Sequence, residues 1–448
     1  MTTEPILTAS EMDEALYHFC NLLRIDTSNP PGNEAVATRY ISGIFTSEGV
    51  PYHVVESAFG RTNLVARLSA NNPDNGVLVS AHMDVCPTHS DSWTHPPFDG
   101  HIADGFVWGR GTLDMKHMLT YGMMALVIAR RRGLHLTKDL AFAAVADEEQ
   151  GSKLGSLFLA ERRPELLRSR YCLTESGGFT LDINGHTIVP VGMATMGYAW
   201  LRVTTRGPSG HGAVPNTESA PTRLLTALAG ISSGMLEHRL CPSSLVMLDA
   251  IAKRLELPQA LAIHALRFES LGALGQTFIH DPELAGYVAS ITHDTVSITR
   301  LLSGDPSNEI SDTAEAWLDL RVLPGRPVAD AVHELRQRLG PNVEVTVLRT
   351  GEATVSDFPS PMWKTIERHV LAALPKSHVS PYLIRGFTDA IAYQSLGITT
   401  YGFAPVVMPA GLSQTRLVHG IDERIPVEGF KQGFEMFAQV LFDFCTAD

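Results

Sequence analysis

The chain has 448 residues, of which 44% are hydrophobic and 19% are charged, and its net charge is −13. This length exceeds one ordinary hydrophobic core and predicts two domains, and the composition is that of a globular protein. The negative charge argues against nucleic acid as a partner, because nucleic acid selects for basic surfaces, and no apolar run reaches the roughly 18–20 residues of a membrane span.

The first 190 residues alternate between helices and short apolar strands. A helix is predicted over residues 10–24, where apolar residues recur at helical spacing behind a Ser cap. Strands are predicted at 63–68, 77–81, 140–146 and 171–174, and helices at 115–131 and 151–163. This alternation indicates a largely parallel sheet with helices on both faces.

The pattern changes near residue 190. An alternating strand (199–205), a helix (221–233), a strand (314–323), a helix (327–340) and a strand (343–349) indicate an α+β layer of antiparallel strands with helices on one face. Residues 235–300 give no clear prediction. Elements of the first type return with a helix at 362–374, a strand at 399–405 and a last helix at 428–445. The predicted architecture is an α/β domain, residues 1–191 and 354–448, interrupted by an α+β domain at 192–353.

The first residues and the cysteines bear on location. The sequence MTTEPILTASEMDEAL has no basic start followed by an apolar stretch, so no signal peptide is expected. The five cysteines are scattered, odd in number and not in metal-type pairs (Cys20, Cys86, Cys172, Cys241 and Cys445). Buried reduced thiols in a cytoplasmic protein, with no membrane partner, are the interpretation that we favour.

Polar side chains follow three of the predicted strands. Strand 77–81 leads into His82 and Asp84, strand 140–146 into Glu148 and Glu149, and strand 171–174 into Glu175. Ligands of open α/β sheets bind beyond the carboxyl ends of the strands. Buried carboxylates need a positive partner, and imidazole with carboxylate is a ligand set typical of zinc, with cobalt or manganese as substitutes.

Each of these pieces alone has an ordinary explanation. A His-x-Asp sequence is usually a surface or core feature, and an Asp-Glu-Glu triplet is usually a solvated helix start. Their joint occurrence at strand ends, together with Asp114 at the start of the long helix, favours a metal site.

The sequence resembles the family that includes aminoacylase, acetylornithine deacetylase, succinyl-diaminopimelate desuccinylase, bacterial glutamate carboxypeptidase and carnosine dipeptidases. The matching stretches occur in family order across residues 80–430: SAHMDVCP, WTHPPFDG, VWGRGTLDMK, ADEEQGS, TESGG, RGPSGHGAVPN, AWLDLRVLPG, RGFTDA and HGIDERIPVEGF. The resemblance implies a zinc-exopeptidase-like α/β catalytic domain with an inserted α+β, ferredoxin-like lid and dimerisation domain.

The resemblance also implies a role for each matching residue. Two zinc ions per chain would be bound, one by His82 and Glu175 and the other by Glu149 and His419, with Asp114 bridging them and a cis peptide following Asp114. Asp84 would hydrogen-bond His82 and fix its tautomer, and Glu148 would be the general base. The residues expected to contact substrate are His211, Asn308, Arg321 and Thr388, with Asp389 beside Thr388; His211 would act across a possible homodimer.

The chain departs from the family pattern at several positions. His117 stands where relatives have Gly after DMK, and Ser311 stands where many have Pro. Glu309 places a charge beside Asn308. From spacing alone, Arg321 fits a surface salt bridge as well as a carboxylate clamp.

The resulting hypothesis is metal-dependent hydrolysis of an amide or peptide bond in a small carboxylate-bearing substrate, an N-acyl amino acid or a dipeptide. Glu148 would accept the proton of the attacking water, and His211 would stabilise the oxyanion. The alternatives are removal of a carbamoyl or formyl group at the same site, and an inactive binding protein that kept the fold. Cys86 has no evident partner for covalent catalysis.

Overall fold

The computed structural model describes residues 5–88, 92–183, 185–253, 255–268, 271, 282–304 and 308–447. The chain divides into two compact units. The first comprises Met1–Met193, Ser356–Tyr382 and Thr388–Asp448, and the second comprises Ala194–Val355 and Leu383–Phe387.

The described α-helices are α1 (Ala9–Leu23), α2 (Glu34–Glu48), α3 (Lys116–Arg131), α4 (Ser156–Arg162), α5 (Pro164–Leu167), α6 (Ala220–Ala229), α7 (Pro242–Ala252), α8 (Leu257–Ala265), α9 (Pro282–Thr292), α10 (Val328–Leu339), α11 (Pro361–Ala373), α12 (Ala390–Ser395), α13 (Gln414–Leu417) and α14 (Val427–Thr446). Short 3-10 helices occur at Pro73–Asn75 and Glu148–Gln150. Within the described ranges, none of the helices combines the length and the apolar character that crossing a bilayer requires.

The described strands are β1 (Tyr52–Ala58), β2 (Arg61–Leu68), β3 (Val77–His82), β4 (His101–Ala103), β5 (Phe106–Trp108), β6 (Leu140–Val145), β7 (Tyr171–Thr174), β8 (Leu181–Ile183), β9 (His186–Thr195), β10 (Gly197–Arg206), β11 (Gly210–His211), β12 (Met235–His238), β13 (His293–Leu302), β14 (Glu309–Ile310), β15 (Thr313–Val322), β16 (Glu344–Gly351), β17 (Thr354–Val355), β18 (His378–Ile384), β19 (Thr399–Gly402) and β20 (Arg424–Pro426).

The main sheet of the first unit has the order β1-β2-β6-β3-β7-β19-β9. Neighbours among β6, β3, β7 and β19 are parallel, whereas β1, β2 and β9 pair antiparallel. The prediction of a largely parallel sheet is right for the four central strands and wrong for the flanking ones. The turn between β1 and β2 explains part of the difference, because Gly60 adopts φ +76° and closes a two-residue hairpin, which only antiparallel strands can use.

Helices cover both faces of the central strands, as the sequence predicts. Val79 and Phe142 face α3, where a Cβ added at Gly122 would lie 2.4 Å from the Phe142 ring, so the missing side chain permits the close approach. On the other face Leu78 and Ala141 pack with residues of α4, α5 and α12. All residues of β3, β6 and β7 are buried, as in parallel sheets that are covered on both sides.

Two predicted helix starts differ from the structure. The cap of α1 is Thr8 rather than Ser10, because Glu11 lies three residues after Thr8 and completes a reciprocal capping box. The helix predicted over 151–163 begins only at Ser156. Gly151 and Ser152 have φ values of +85° and +64°, and this left-handed backbone excludes a helix at these residues.

The second unit contains an antiparallel sheet of order β12-β13-β15-β10-β16. Alternate residues of β10 and β15, such as Leu201 and Leu318, form one core with the apolar residues of α6 and α10. Helices α7, α8 and α9 occupy much of residues 235–300, for which no clear prediction was possible. The α/β class with an α+β second part is therefore confirmed.

Candidate metal centre

The predicted ligands His82 and Glu175 lie at the carboxyl edge of the central strands. His82 is the last residue of β3, and Glu175 directly follows β7. Glu148 and Glu149 follow β6 and belong to a 3-10 turn, not to an extended continuation of the strand. Asp147, which precedes them, has φ +68°, so the chain turns sharply at the end of the strand and carries both carboxylates back over the sheet edge.

Five side chains form a continuous chain of close contacts around Asp114. His82 Nε2 lies 2.9 Å from Asp114 Oδ1 and 3.8 Å from Glu175 Oε2. His419 Nε2 lies 3.0 Å from the other Asp114 oxygen, Oδ2, and 3.3 Å from Glu149 Oε2. Each oxygen of Asp114 therefore faces one imidazole, which is the arrangement needed for a carboxylate that bridges two metal ions. The peptide bond after Asp114 is cis, as the resemblance implied.

The charges of this cluster fit divalent cations. Asp114, Glu148, Glu149 and Glu175 are all mostly shielded from solvent, and Glu175 Oε1 is buried without a hydrogen-bond partner among the described residues. Burial raises the pKa of Glu175 to about 7 and, with the nearby charge of Glu175, raises the pKa of Glu148 well above its ordinary value. Buried carboxylates at this density need positive partners, and zinc accepts imidazole and carboxylate together.

His82 and Asp84 are fixed by a network behind the cluster. His82 Nδ1 lies 2.9 Å from the main-chain oxygen of Asp84 and 3.6 Å from its carboxylate, so the carbonyl orients the ring and leaves Nε2 toward Asp114. The Asp84 carboxylate instead accepts from the backbone N–H groups of Glu148 and Glu149 and from Asn29. Asp84 thus hydrogen-bonds His82 through its main-chain oxygen, and its carboxylate in addition positions the turn that carries the two glutamates.

A buried ion pair connects the two loops that carry Asp114 and His419. Glu423 is fully buried, and its Oε2 accepts from Arg110 Nη1 at 2.6 Å. Its Oε1 accepts from the Leu113 N–H at 2.8 Å, and Arg110 Nη2 donates to the main-chain oxygen of His419 at 3.2 Å. Burial raises the pKa of Glu423, and the guanidinium of Arg110 opposes this effect. No sequence pattern relates Arg110 to Glu423, although both residues lie inside stretches that match the family.

Thr388 and Asp389 are buried beside the glutamate turn. Asp389 Oδ1 accepts from the hydroxyls of Ser152 and Ser156, and its charge contributes to the raised pKa of Glu148. Thr388 is 2% exposed, and its Oγ1 accepts from the Ala390 N–H at the start of α12. The hydroxyl of Thr388 therefore has a structural contact, and a role in substrate binding stays a prediction.

His211 and Asn308 are neighbours in the second unit. The strands β11 and β14 pair His211 with Glu309, and the Gly212 N–H donates to the main-chain oxygen of Asn308 at 2.8 Å. His211 is exposed, and its Nδ1 accepts from the Ala213 N–H at 3.0 Å. In the neutral ring the proton then lies on Nε2, which is left as a hydrogen-bond donor.

Arg321 lies in the five-stranded sheet and not in the two-stranded sheet of β11 and β14. It pairs with Tyr198 across β15 and β10, whereas the other end of this ladder pairs Thr313 with Arg206 and continues toward β11 and β14. Its Nη2 donates to Asp319 at 2.9 Å, as in the salt bridge that spacing allowed. Its buried Nη1 has no hydrogen-bond partner among the described residues, so one donor remains for a ligand.

Comparisons with known proteins place these features in a family context. The sequence model of peptidase family M20/M25/M40 matches residues 78–443. The chain is 25% identical over 385 residues to probable carboxypeptidase S-like 2 of Dictyostelium discoideum, covering 82% of this chain and 71% of that protein. It is 26% identical over 440 residues to aminoacylase-1 of Sus scrofa, covering 94% and 93%. The fold is similar to that of the M20 family metallo-carboxypeptidase Sso-CP2 of Sulfolobus solfataricus, with a TM-score of 0.72, 17% identity, and coverage of 97% and 100%.

Proposed function

The chain belongs to peptidase family M20/M25/M40 and is a hydrolase, and we propose that it uses two zinc ions to cleave an amide or peptide bond in a small substrate that bears a carboxylate. The observation that carries this proposal is the placement of Asp114 between His82 and His419, with one carboxylate oxygen toward each ring. The names of the relatives, aminoacylase and carboxypeptidase, point to N-acyl amino acids or peptides as substrates.

The two proposed metal positions share Asp114. His82 and Glu175 would complete one position, and Glu149 and His419 would complete the other. Two zinc ions bound there would supply Lewis acidity and lower the pKa of a nearby water. Cobalt or manganese would be substitutes.

Glu148 is the proposed general base. It is buried beside Glu175 and His82, and its pKa is raised well above its ordinary value, chiefly by burial. A base of raised pKa takes a proton from water as the water attacks the carbonyl carbon, and it can pass that proton to the leaving nitrogen. The main-chain contacts of Glu148 and Glu149 with Asp84 keep the turn, and thus this carboxylate, in place.

Arg321 and His211 are proposed to contact the substrate. Arg321 would bind the substrate carboxylate, and His211 would donate from Nε2 to the oxyanion. Tyr198 and Arg206 are eight positions apart in β10, about 26 Å along an extended strand, and His211 follows five residues after Arg206. An extended dipeptide spans only about 7 Å, so we propose that the Arg321 and the His211 that contact one small substrate come from two chains.

Two measurements test the central proposal. Zinc-loaded protein is assayed against a panel of N-acyl amino acids and dipeptides, and bound metal is counted by elemental analysis. We expect two zinc ions per chain, hydrolysis of at least one substrate class, loss of activity with a chelator, and recovery on adding zinc. Trace metal after reconstitution, or activity that survives metal removal, would contradict it.

The proposed dimer has a separate test. Chains with His211→Ala are mixed with chains that carry Glu148→Gln, each being inactive alone. If His211 acts across a homodimer, the mixture should recover part of the activity, and sedimentation should give the mass of two chains. A mixture that stays inactive while sedimenting as a dimer would show that His211 does not act across the interface.

A further inference from the structure

Cys86 lies against the second proposed metal position. It follows His82 by four residues, and its Sγ lies 2.9 Å from Glu149 Oε2. Its main-chain N–H donates to the other oxygen of Glu149, also at 2.9 Å. Both atoms of Cys86 therefore face a single carboxylate, which is one of the proposed metal ligands.

The sulfur also lies close to the imidazole of His419. One donor atom from each of Cys86, Glu149 and His419 falls within 4.8 Å of the other two. The atoms of His82, Asp114 and Glu175 form the corresponding group at the first position. Since His419 Nε2 also contacts Asp114 Oδ2 at 3.0 Å, four donors surround the second position, and they comprise one imidazole nitrogen, two carboxylate oxygens and one sulfur.

Cys86 differs from the other cysteines of the chain. Cys20, Cys172, Cys241 and Cys445 are buried, and all five thiols are free. Cys86 is partly accessible to solvent. Among the described cysteines, it alone has a sulfur that lies close to two potential metal ligands. A nucleophilic role fits the site poorly, because the nearest polar contact of the sulfur is a carboxylate, which does not stabilise a free thiolate.

We propose that the Cys86 thiolate is a ligand of the second metal ion, together with His419, Glu149 and Asp114. This inference rests on the proposed two-metal function and adds a difference between the two positions. Thiolate is a ligand that zinc binds strongly, and four protein ligands close a tetrahedral zinc site, whereas three leave a position open for chemistry. The position of His82 and Glu175 is then the open one, and the position of Cys86 holds its metal more tightly and favours zinc over manganese.

Cobalt(II) bound in place of zinc reveals directly whether one of its ligands is sulfur. Cobalt(II) bound to thiolate has a charge-transfer band in the near ultraviolet that nitrogen and oxygen ligands do not give. The protein is loaded with cobalt, the metal per chain is counted, and the band is followed as each equivalent is added. We expect two cobalt ions per chain, with a band that accompanies one of them. Zinc-loaded protein should give one sulfur neighbour at about 2.3 Å by X-ray absorption.

Variants assign the sulfur. Cys86→Ala and Cys86→Ser should lose the band, and one of the two ions should bind at least tenfold more weakly. Cys20→Ala is the matched control, because that thiol is buried in α1, and it should keep both the band and the affinity. In the unmodified protein, zinc should also protect Cys86 from alkylation by iodoacetamide, as read by peptide mass spectrometry, which needs no variant.

The outcomes separate this inference from the proposed function. Two bound metal ions without a sulfur signal, or a band that survives Cys86→Ala, would overturn the ligand role of Cys86 and leave the two-metal hydrolase standing. Failure of the chain to bind metal at all would overturn both. A band that is present, absent in both Cys86 variants and retained in Cys20→Ala would support the ligand role.

Discussion

Removing the charge of Glu423 is expected to destabilise the first unit and loosen both proposed metal positions. Arg110 is 4% exposed, and Glu423 Oε2 accepts from its Nη1. In Glu423→Gln one oxygen remains for the Leu113 N–H, so the amide NH2 group faces the guanidinium. The Arg110 guanidinium is then a buried charge without an opposite partner, which lowers the unfolding free energy by about 3–5 kcal/mol.

A second substitution separates the ion pair from the backbone contacts. Arg110→Met in the Glu423→Gln background removes the buried charge, while the amide oxygen still accepts from Leu113. The remaining cost should fall to about 1–3 kcal/mol, the amount expected for a buried polar group that is left unpaired. The double variant should therefore be more stable than Glu423→Gln alone, although it contains one more change.

The assay is urea unfolding of the metal-free proteins, followed by zinc affinity from competition with a chelator. Because Glu423 and Arg110 connect the segments of Asp114 and His419, zinc affinity should fall about 10–100-fold in Glu423→Gln. A loss of less than about 1 kcal/mol in the unfolding free energy of Glu423→Gln would refute the reasoning. So would a loss in the double variant that equals the sum of the losses in Glu423→Gln and Arg110→Met.

Three further predictions concern single side chains. Burial lowers the pKa of His117 to about 4, so between pH 6.5 and 4 the unfolded chain binds a proton at this ring and the folded chain does not. The unfolding free energy therefore falls by about 3 kcal/mol as the pH falls through this window. His117→Gln, compared with the wild type by urea unfolding at pH 7 and pH 4 without metal, should lack this loss, and equal losses in the two proteins would contradict the assignment. Glu148→Gln should lower turnover about 10²–10⁴-fold with both metals bound, whereas Glu149→Gln should lose one metal that excess zinc restores; the reverse metal counts would exchange the two roles. Replacing the substrate carboxylate by an amide should lower kcat/KM several-fold in the wild type and little in Arg321→Ala, and equal penalties would show that another group binds the carboxylate.

The strand ends were predictable because two local signals coincide there. Buried apolar runs such as 77–81 and 140–146 identify central strands, and a polar residue directly after such a run must lie at the sheet edge. His82 and Glu175 follow from this rule without further information. The antiparallel flanking strands did not follow from it, because β1 is half exposed and pairs through a turn that a strand-helix alternation does not predict.

The backbone conformation of the turn that carries Glu148 and Glu149 was harder to predict. An extended segment after β6 would direct Glu148 and Glu149 to opposite sides. The structure places them in a 3-10 turn after a left-handed Asp147, and that residue is retained by contacts with Asn29 and Arg61. Partners so distant in sequence leave no local pattern, so the left-handed backbone that precedes the two glutamates could not be predicted.

The contacts that complete the site join residues that are far apart in sequence. Glu423 contacts Leu113 across 310 residues, and Arg110 contacts the main chain of His419 across 309. No periodicity or propensity relates such positions. The buried carboxylate of Glu423 holds both segments together, because one of its oxygens accepts from the Arg110 guanidinium and the other from the backbone N–H groups of Leu113 and Asp114. The same reasoning applies to Cys86. Nothing in the sequence relates this thiol to Glu149, and only the folded chain brings its sulfur to that carboxylate. Charge pairs and hydrogen bonds between segments thus hold together the residues 82 to 419 that we propose as metal ligands, and the predicted loss of zinc affinity in Glu423→Gln measures how strongly those remote contacts determine the site.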